Sequence, residues 1–182
     1  MAVLTPVPKG TLMTGHCLFV LGGARSGKSR YAQSRAEALH GRAIFIATAE
    51  AYDDEMRDRI ALHQADRDHR WQTVEAPVAL PDAVRSLNDP GNILLVDCLT
   101  LWLSNLLLMD ADLAAAGAQL MQSIAIFEGQ VILVANEVGL GIVPDNALAR
   151  RFRDEAGRLN QSIATIADEV MLITAGLPLR LK

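Results

Sequence analysis

Near its start the chain reads Gly22-Gly23-Ala24-Arg25-Ser26-Gly27-Lys28-Ser29, which fits the pattern G-x-x-x-x-G-K-[ST] throughout. The apolar run before it, Cys17–Leu21, predicts a strand, and Arg30–Leu39 after it predicts a helix. The glycines let backbone N–H groups surround phosphate oxygens, and the start of the helix favours anions. In such a loop the Lys28 ammonium reaches the β- and γ-phosphates and the Ser29 hydroxyl binds Mg²⁺. The stretch therefore predicts a nucleoside triphosphate site, the ordinary alternative being a glycine-rich turn.

Length and composition indicate one globular unit. The chain has 182 residues, of which 51% are hydrophobic, enough for a substantial core. We expect residues 1–16 to form a flexible lead-in and residues 17–182 to form a single nucleotide-binding catalytic domain. The formal net charge of −4 argues against a general nucleic-acid surface, so any anion site is local.

The two cysteines indicate the cellular compartment of the protein and not a metal site or a redox-active pair. Cys17 and Cys98 lie in or beside apolar runs, with neither a C-x-x-C pair nor zinc-ligand spacing. We expect buried thiols, which fit the reducing cytoplasm. The residues before Cys17 lack the continuous apolar segment of a signal peptide. The run Leu99–Met109 is too short and too polar to span a membrane.

Apolar runs recur along the chain with helix-like segments between them. They are nearly continuous in apolar residues, as is typical of parallel strands covered on both faces. The alternation predicts an α/β fold, a P-loop NTPase-like three-layer sandwich with a mostly parallel central sheet. The predicted strands are Cys17–Leu21, Ala43–Ala47, Ile93–Asp97, Gln130–Ala135 and Val170–Thr174.

The segment between Pro144 and Val170 has the clearest helical periodicity. Pro144-Asp145 is a plausible helix start, and most arginines of the segment lie off the apolar stripe, as on a solvated face. The stripe comprises Leu148, Phe152, Leu159, Ile163 and Ile166.

Two carboxylates follow predicted strands. Asp97 ends the run Ile93–Asp97, where phosphate-loop proteins hold an acid that orders the Mg²⁺ shell. Glu137 follows the run Gln130–Ala135, and ligands of open parallel sheets bind outside the carboxyl ends of strands. Glu137 is therefore either near the ligand or a turn residue, and the sequence favours neither. The D-x-x-G and N-K-x-D elements of GTPase switches are missing around these positions.

A polar helix is predicted from Asp53 to about Arg67. Arg59, His63 and Arg67 are spaced by four, so they share one face of that helix. Two nearby cations would favour the neutral imidazole, which can attack phosphorus while the arginines stabilise phosphate charge. A surface histidine between arginines is more often ordinary, and His69 competes for the same role.

Other segments accompany the phosphate loop. They are Ile46-Ala47-Thr48-Ala49, Asp53-Asp54-Glu55-Met56, the pair His63/Arg67, Trp71-Gln72-Thr73-Val74-Glu75, Asn136-Glu137-Val138-Gly139-Leu140-Gly141-Ile142-Val143-Pro144 and Gly157-Arg158-Leu159-Asn160-Gln161. Together they resemble the bifunctional adenosylcobinamide kinase / adenosylcobinamide-phosphate guanylyltransferase family of cobalamin synthesis, over nearly everything from Cys17 to Lys182. The D-D-E-M block and the N-E-V-G-x-G-I-V-P run are the specific elements, since many families share the glycine loop.

The resemblance implies two reactions with ATP and GTP as substrates. The first phosphorylates the aminopropanol hydroxyl of adenosylcobinamide, and the second transfers GMP from GTP to that phosphate. His63 would carry the GMP as a phosphoramidate beside Arg67, with Lys28 also catalytic. Besides the phosphate loop, the nucleotide would contact Ala47, Thr48 and Ala49 at the end of the second strand, and Glu75 and Asp97.

The resemblance also implies a metal and an assembly. Mg²⁺ would be bound by Ser29 and Asp97, although some relatives have Glu at the latter position. The partners would be a nucleoside triphosphate and a corrinoid, in a homo-oligomer for which a trimer is favoured. Two alternatives stay open on the residues alone: a small-molecule kinase without a histidine intermediate, and a nucleotide-binding regulatory module.

Overall fold

The computed structural model describes residues 15–49 and 70–182. In these ranges the strands are β1 (His16–Gly22), β2 (Arg42–Ala47), β3 (Trp71–Glu75), β4 (Asn92–Asp97), β5 (Gln130–Asn136), β6 (Glu169–Thr174) and β7 (Leu177–Arg180). The helices are α1 (Lys28–Glu37), α2 (Leu80–Ser86), α3 (Leu99–Leu108), α4 (Leu113–Ala125) and α5 (Ala147–Ile166).

The strands form one sheet in the order β3-β2-β4-β5-β1-β6-β7. All neighbours pair in parallel except β7, which returns antiparallel to β6. The predicted strands are confirmed to within one residue at each end. β1 begins at His16, one residue inside the predicted lead-in, and residues 1–14 lie outside the described ranges.

Two strands were not predicted, β3 and β7, and both lie at edges of the sheet. β3 is largely exposed and mixes polar with apolar residues, so it lacks the continuous apolar run of a buried strand. β7 is short, fully exposed and contains Pro178, a residue tolerated in edge strands. The turn that leads into it passes through Gly176, whose φ of 79° suits glycine.

Alternate residues of β1 face opposite layers, because side chains alternate along a strand. Phe19 packs in the core cluster that contains apolar residues of α2, α3, α4 and α5. Val20 packs in a second cluster with Ala32 and Ala36 of α1. Both alanines are buried, so α1 lies close against the sheet. The sheet is thus sandwiched between α1 and the other described helices, as the predicted three-layer fold requires.

The predicted helix ends shift by two or three residues. α1 starts at Lys28 and ends at Glu37, two residues earlier than predicted at each end. α5 begins at Ala147 rather than at Pro144-Asp145, because the Asn146 side chain caps it by accepting a hydrogen bond from Ala149 N at 2.8 Å.

The apolar stripe of α5 is confirmed only in part. Leu159 and Ile163 are buried in the core, and Phe152 and Ile166 pack against it. Leu148 lies in the first turn and is 52% exposed, so it is not a core residue. The first turn of this helix extends past the layer that covers the rest of the stripe.

Candidate functional site

The phosphate loop connects β1 to α1, as the sequence predicts. Gly27 is the N-cap residue of α1, with a left-handed φ of 94° that a side chain would disfavour. Arg25 also has a positive φ, 55°. The Ser26 N–H donates to Gly23 O at 3.3 Å, which closes the loop on itself. The backbone between β1 and the helix therefore curls tightly at the amino end of α1, where the helix dipole favours an anion.

Gly22 and Gly23 differ in the space around them. A Cβ on Gly22 would lie 2.4 Å from Ser26 Oγ and 2.6 Å from Ile173 O. A Cβ on Gly23 would meet no heavy atom within 4 Å. Glycine at position 22 is therefore required by packing against β6 and the loop, whereas position 23 faces open space.

Lys28 is the buried charged group of the loop, whereas Arg25 is exposed. Its side chain is only 9% exposed, and its ammonium donates to Gly23 O at 3.2 Å. A buried ammonium is stabilised by an anion, and here the lysine lies within the loop that curls around phosphates. Ser29 follows it in the first turn of α1 and is partly buried.

The register of the sheet brings three predicted residues into one row. Ala47 pairs with Glu75 on one side and with Asp97 on the other, so the ends of β3, β2 and β4 coincide. Their strand neighbours two residues earlier, Phe45 and Leu95, pack in the cluster with α1. Alternation places Ala47 and Asp97 on that same face. The row therefore lies at the carboxyl ends of the strands, where the phosphate loop begins, and on the same face of the sheet as that loop.

Thr48 is used inside the protein. It is fully buried, and its hydroxyl accepts from Cys98 N at 2.8 Å and donates to Cys98 O at 2.7 Å. The Thr48 carbonyl accepts from Asn105 Nδ2 at 2.9 Å. These bonds connect the end of β2 to the start of α3, which follows a cis peptide bond between Asp97 and Cys98. Thr48 thus positions the row, and Ala49 beside it is partly buried.

The oxygen ligands at this end of the sheet fit a magnesium ion. Ser29 offers a hydroxyl and Asp97 a carboxylate, both hard oxygen ligands. In residues 15–49 and 70–182, no group of three or more His, Cys, Asp or Glu side chains could hold a metal ion. Such a sparse set suits Mg²⁺, which takes one or two protein ligands and completes its shell with water and substrate phosphates.

Glu137 has the turn role that the sequence left open. Its carboxylate accepts from Gly139 N at 2.5 Å, and its own N–H donates to Gly22 O at 3.1 Å. The first bond closes a local turn, and the second ties the segment after β5 to the phosphate loop.

Asn136 lies at the same end of the sheet as the phosphate loop, and the sequence did not single it out. Its Oδ1 and the Oγ of Ser26 are buried without a hydrogen-bond partner in the described part of the chain. Asn136 ends β5 and pairs in register with Gly22. The available signal was a polar residue at the end of an apolar strand, the same signal that identified Asp97.

Both cysteines are buried and free, as predicted. Burial is the main cause that raises the pKa of Cys17 to about 12 and the pKa of Cys98 to about 11. The nearby carboxylates of Asp168 and Asp97, respectively, raise them further. Neutral thiols of this kind are poor nucleophiles, although Cys98 adjoins the candidate metal ligand.

The predicted nucleophile lies outside the described ranges. His63, Arg67, Arg59 and the competing His69 all fall in residues 50–69, outside the described ranges. Of the remaining histidines, His40 is exposed after α1 and His16 starts β1, at the sheet end opposite the loop. The described geometry is therefore that of the phosphate loop and the strand ends beside it.

No helix among the described residues is both long enough and apolar enough to cross a membrane. The run predicted to be too polar for that role is α3, whose side chains pack in the core around Trp102 and Leu103.

Solved structures support the fold. A protein of Pyrococcus horikoshii OT3, solved in a structural study of project PH0250, superposes with a TM-score of 0.55 at 10% sequence identity. The match covers 92% of this chain and 86% of that protein's chain. An ATPase from a type III secretion system of pathogenic bacteria has a TM-score of 0.52 at 12% identity over 88% of this chain. The match spans 52% of that ATPase. At these identities the likeness shows the fold alone, which is the predicted P-loop NTPase-like sandwich.

Sequence comparison identifies the family. The bifunctional adenosylcobalamin biosynthesis protein CobP of Pseudomonas aeruginosa is 51% identical over 166 residues, 90% of this chain and 95% of CobP. CobU of Escherichia coli, of the same description, is 39% identical over 183 aligned positions, 91% of this chain and 99% of CobU. The model of the cobinamide kinase / cobinamide phosphate guanyltransferase family matches residues 18–181. The phosphate loop and the strand ends around it are consistent with this match. The chain belongs to the cobinamide kinase / cobinamide phosphate guanyltransferase family of bifunctional enzymes.

Proposed function

We propose that this protein catalyses two successive reactions on one corrinoid. In the first, the aminopropanol hydroxyl of adenosylcobinamide attacks the γ-phosphorus of a nucleoside triphosphate, and the diphosphate leaves. In the second, GMP passes from GTP to the new phosphate, which gives adenosylcobinamide-GDP and pyrophosphate. The family and the names of its relatives support both activities.

One structural observation supports this proposal above the others. The phosphate loop and the row Glu75, Ala47 and Asp97 lie at the carboxyl ends of the strands and on one face of the sheet. A triphosphate held by the loop would extend its nucleoside along the ends of β4, β2 and β3. Ala47, Thr48 and Ala49 would then contact the nucleotide at the middle of that row.

Within the loop, the roles follow from donor chemistry. Backbone N–H groups from Gly22 to Ser29 would bind phosphate oxygens, and Lys28 would neutralise charge on the β- and γ-phosphates. Since both reactions break a phosphoanhydride bond, the same loop would serve ATP in the kinase step and GTP in both steps.

Mg²⁺ fits the oxygen donors of Ser29 and Asp97. When bound, it would offset the charge that develops on the leaving diphosphate or pyrophosphate. Asp97 is one methylene shorter than the Glu found in some relatives, so its contact with the ion would either be longer or be bridged by a water.

The guanylyl transfer would proceed through His63. An imidazole nitrogen attacks the α-phosphorus of GTP, a P–N bond forms and pyrophosphate leaves. A phosphate oxygen of adenosylcobinamide phosphate then attacks the same phosphorus, the P–N bond breaks and the imidazole is regenerated. Arg67, one helical turn away in the predicted helix, would stabilise the charge on the transferred phosphate.

The test is intact-mass and peptide mass spectrometry of the protein after incubation with GTP and Mg²⁺. We expect one added GMP, mapped to His63, which His63→Ala abolishes and the matched variant His69→Ala retains. The kinase reaction should survive in His63→Ala, because phosphoryl transfer from the loop needs no histidine adduct. An adduct on another residue, or equal loss of both activities in His63→Ala, would contradict the division of labour.

The assembly and location are part of the same proposal. A corrinoid is large, so a wide groove, shared between the subunits of a homo-oligomer with a trimer favoured, would accommodate it. We expect no nucleic-acid partner, in keeping with the net charge of −4. The cytoplasm is the compartment that fits free, buried thiols.

A further inference from the structure

Asn136 carries a hydrogen-bond acceptor that the described protein does not use. Its Oδ1 is buried, and no donor of the described residues reaches it. Buried polar atoms are rarely left unpaired in folded proteins, and the exceptions call for an explanation such as a bound ligand, ion or water. The unpaired atom is at the candidate site, where such a partner would bind.

The register of the sheet places Asn136 between the two parts of the site. β5 lies between β4, which ends in Asp97, and β1, which ends in the phosphate loop. Asp97 pairs with Val134, and Gly22 pairs with Asn136. Asn136 is therefore two residues, about 7 Å along the strand, beyond the level of Asp97. The residue two positions earlier, Val134, packs in the cluster with α1, so Asn136 faces the loop side of the sheet.

The backbone around Asn136 is held in place. Its N–H donates to Thr100 Oγ1 at 2.7 Å, and Thr100 is only 8% exposed at the start of α3. The next N–H, that of Glu137, donates to Gly22 O at 3.1 Å. These bonds tie the end of β5 to α3 on one side and to the phosphate loop on the other. The carboxamide is thus carried by a rigid element, as a positioning group requires.

The chemistry of the unpaired atom restricts its partner. A carboxamide oxygen only accepts hydrogen bonds, and the oxygens of an ionised triphosphate only accept them too. The phosphate oxygens are therefore excluded as partners, and the oxygen is free to accept from a donor, or to face a cation, that arrives with the nucleotide. Mg²⁺ keeps several waters when it binds to a triphosphate, and each of those waters donates.

We propose that Asn136 is a positioning residue of the nucleotide site, whose Oδ1 accepts a hydrogen bond from a water of the Mg²⁺–triphosphate complex. This inference rests on the proposed function, since it assumes that the loop binds a triphosphate with its metal. It adds a residue from β5 to a site otherwise made by β1, α1 and the ends of β2, β3 and β4. The residue orients the metal's water shell and touches no reacting atom.

The chain offers a matched control in Asn92. Asn136 is the last residue of one central strand, β5, and Asn92 is the first residue of another, β4, so Asn92 lies at the opposite end of the sheet. Asn92 is 5% exposed, and its side chain donates to Leu87 O at 2.8 Å. Replacing a paired buried amide leaves its partner unsatisfied, whereas replacing an unpaired one with an apolar group of similar shape removes an unsatisfied atom. Asn136→Leu and Asn92→Leu should therefore have opposite consequences for the ligand-free protein.

The experiment measures binding and stability rather than turnover. Calorimetric titration with α,β-methylene-GTP, which cannot guanylylate the protein, is performed in Mg²⁺ and in EDTA. We expect Asn136→Leu to raise Kd about tenfold or more in Mg²⁺ and to leave it nearly unchanged in EDTA. The melting temperature of the ligand-free variant should equal or exceed that of the wild type. Asn92→Leu should melt at a lower temperature and bind the analogue normally.

Each other outcome overturns the inference. If Asn136→Leu binds the Mg²⁺ complex as the wild type does, or loses the same affinity in EDTA, Asn136 does not act through the metal's water shell. If it melts lower than the wild type with unchanged binding, its oxygen is satisfied by an ordinary structural water. In these cases the proposed function stands. If the wild type itself fails to bind the analogue, the proposed function fails together with the inference.

Discussion

The two ends of the central sheet contrast in how they use their polar groups. At the amino end of the strands, Arg35 and Glu169 form an ion pair at 2.7 Å, and Cys17 N donates to Asp168 Oδ2 at 2.8 Å. Lys182 Nζ donates to Ala167 O at 2.6 Å, at the carboxyl end of α5. At the other end, Ser26 Oγ and Asn136 Oδ1 are buried without described partners.

The contrast shows where this fold keeps its binding capacity. Pairing at the amino end stabilises the protein, because buried donors and acceptors are satisfied within the chain. The carboxyl end keeps a buried ammonium, positive φ values and unpaired oxygens, each of which costs stability in the absence of ligand. A bound triphosphate with its metal would satisfy these groups. Substitutions at the two ends should consequently affect different quantities.

The largest expected effect comes from Lys28→Ala. Removing the buried ammonium of the loop should lower both activities by about 10²–10³-fold, as is typical for loss of a charge-stabilising donor. Thermal unfolding should change little, because the side chain serves the site rather than the core. The matched variant at the other end, Arg35→Ala, should lose stability and keep activity.

Steady-state rates and melting curves of both variants test this difference. If Lys28→Ala unfolds at a much lower temperature, or if Arg35→Ala is inactive while folded, the two ends are not functionally distinct.

A smaller effect is expected within the loop itself. Gly22→Ala would place a Cβ 2.4 Å from Ser26 Oγ and 2.6 Å from the backbone oxygen of Ile173, so the loop or β6 must shift. We expect a loss of about 1–3 kcal/mol in the free energy of unfolding, typical of overpacking. Gly23→Ala, with no atom within 4 Å, is the control and should unfold as the wild type does. Chemical denaturation of both variants measures the difference, and equal stabilities would refute the packing argument.

The smallest effect concerns the ion pair at the amino end and its dependence on pH. The hydrogen bond from Arg35 holds the pKa of Glu169 below its usual value. Because the folded-state pKa is depressed, the pair stabilises the protein above the unfolded pKa of about 4.3, and the gain is lost as pH falls through the folded-state pKa. At pH 7 we expect Glu169→Gln to cost about 1 kcal/mol after allowance for the partly exposed Arg35.

Unfolding free energies measured from pH 7 down into the acid range test whether the stabilisation by the pair is lost as pH falls. The difference between wild type and Glu169→Gln should shrink as pH falls. Asp82→Asn removes an exposed pair with Arg85 and is the control. A difference that grows in acid would show that the pair does not act in the assumed direction.

The parts predicted well have local signals. The phosphate loop follows from a spacing of glycines, lysine and serine, and the five central strands from continuous apolar runs, because burial on both faces leaves that composition. Edge strands carry no such mark, so β3 and β7 were missed. The family assignment succeeded because its segments are spread over nearly the whole chain.

The parts missed depend on neighbours far away in the chain. Nothing near Thr48 in the sequence indicates that its hydroxyl bonds to Cys98, fifty positions later. Asn136 looks like an ordinary strand end until its register with Gly22 is known.

The order of residues was enough to predict a phosphate loop, a mostly parallel sheet and membership of a particular family, since spacing and composition are local properties of the chain. The folded sheet was needed to show which strand ends lie side by side, which polar atoms lose their partners and which glycine has no room for a side chain. Those properties arise because strand register and helix packing bring distant residues within hydrogen-bond distance, and no local pattern encodes them.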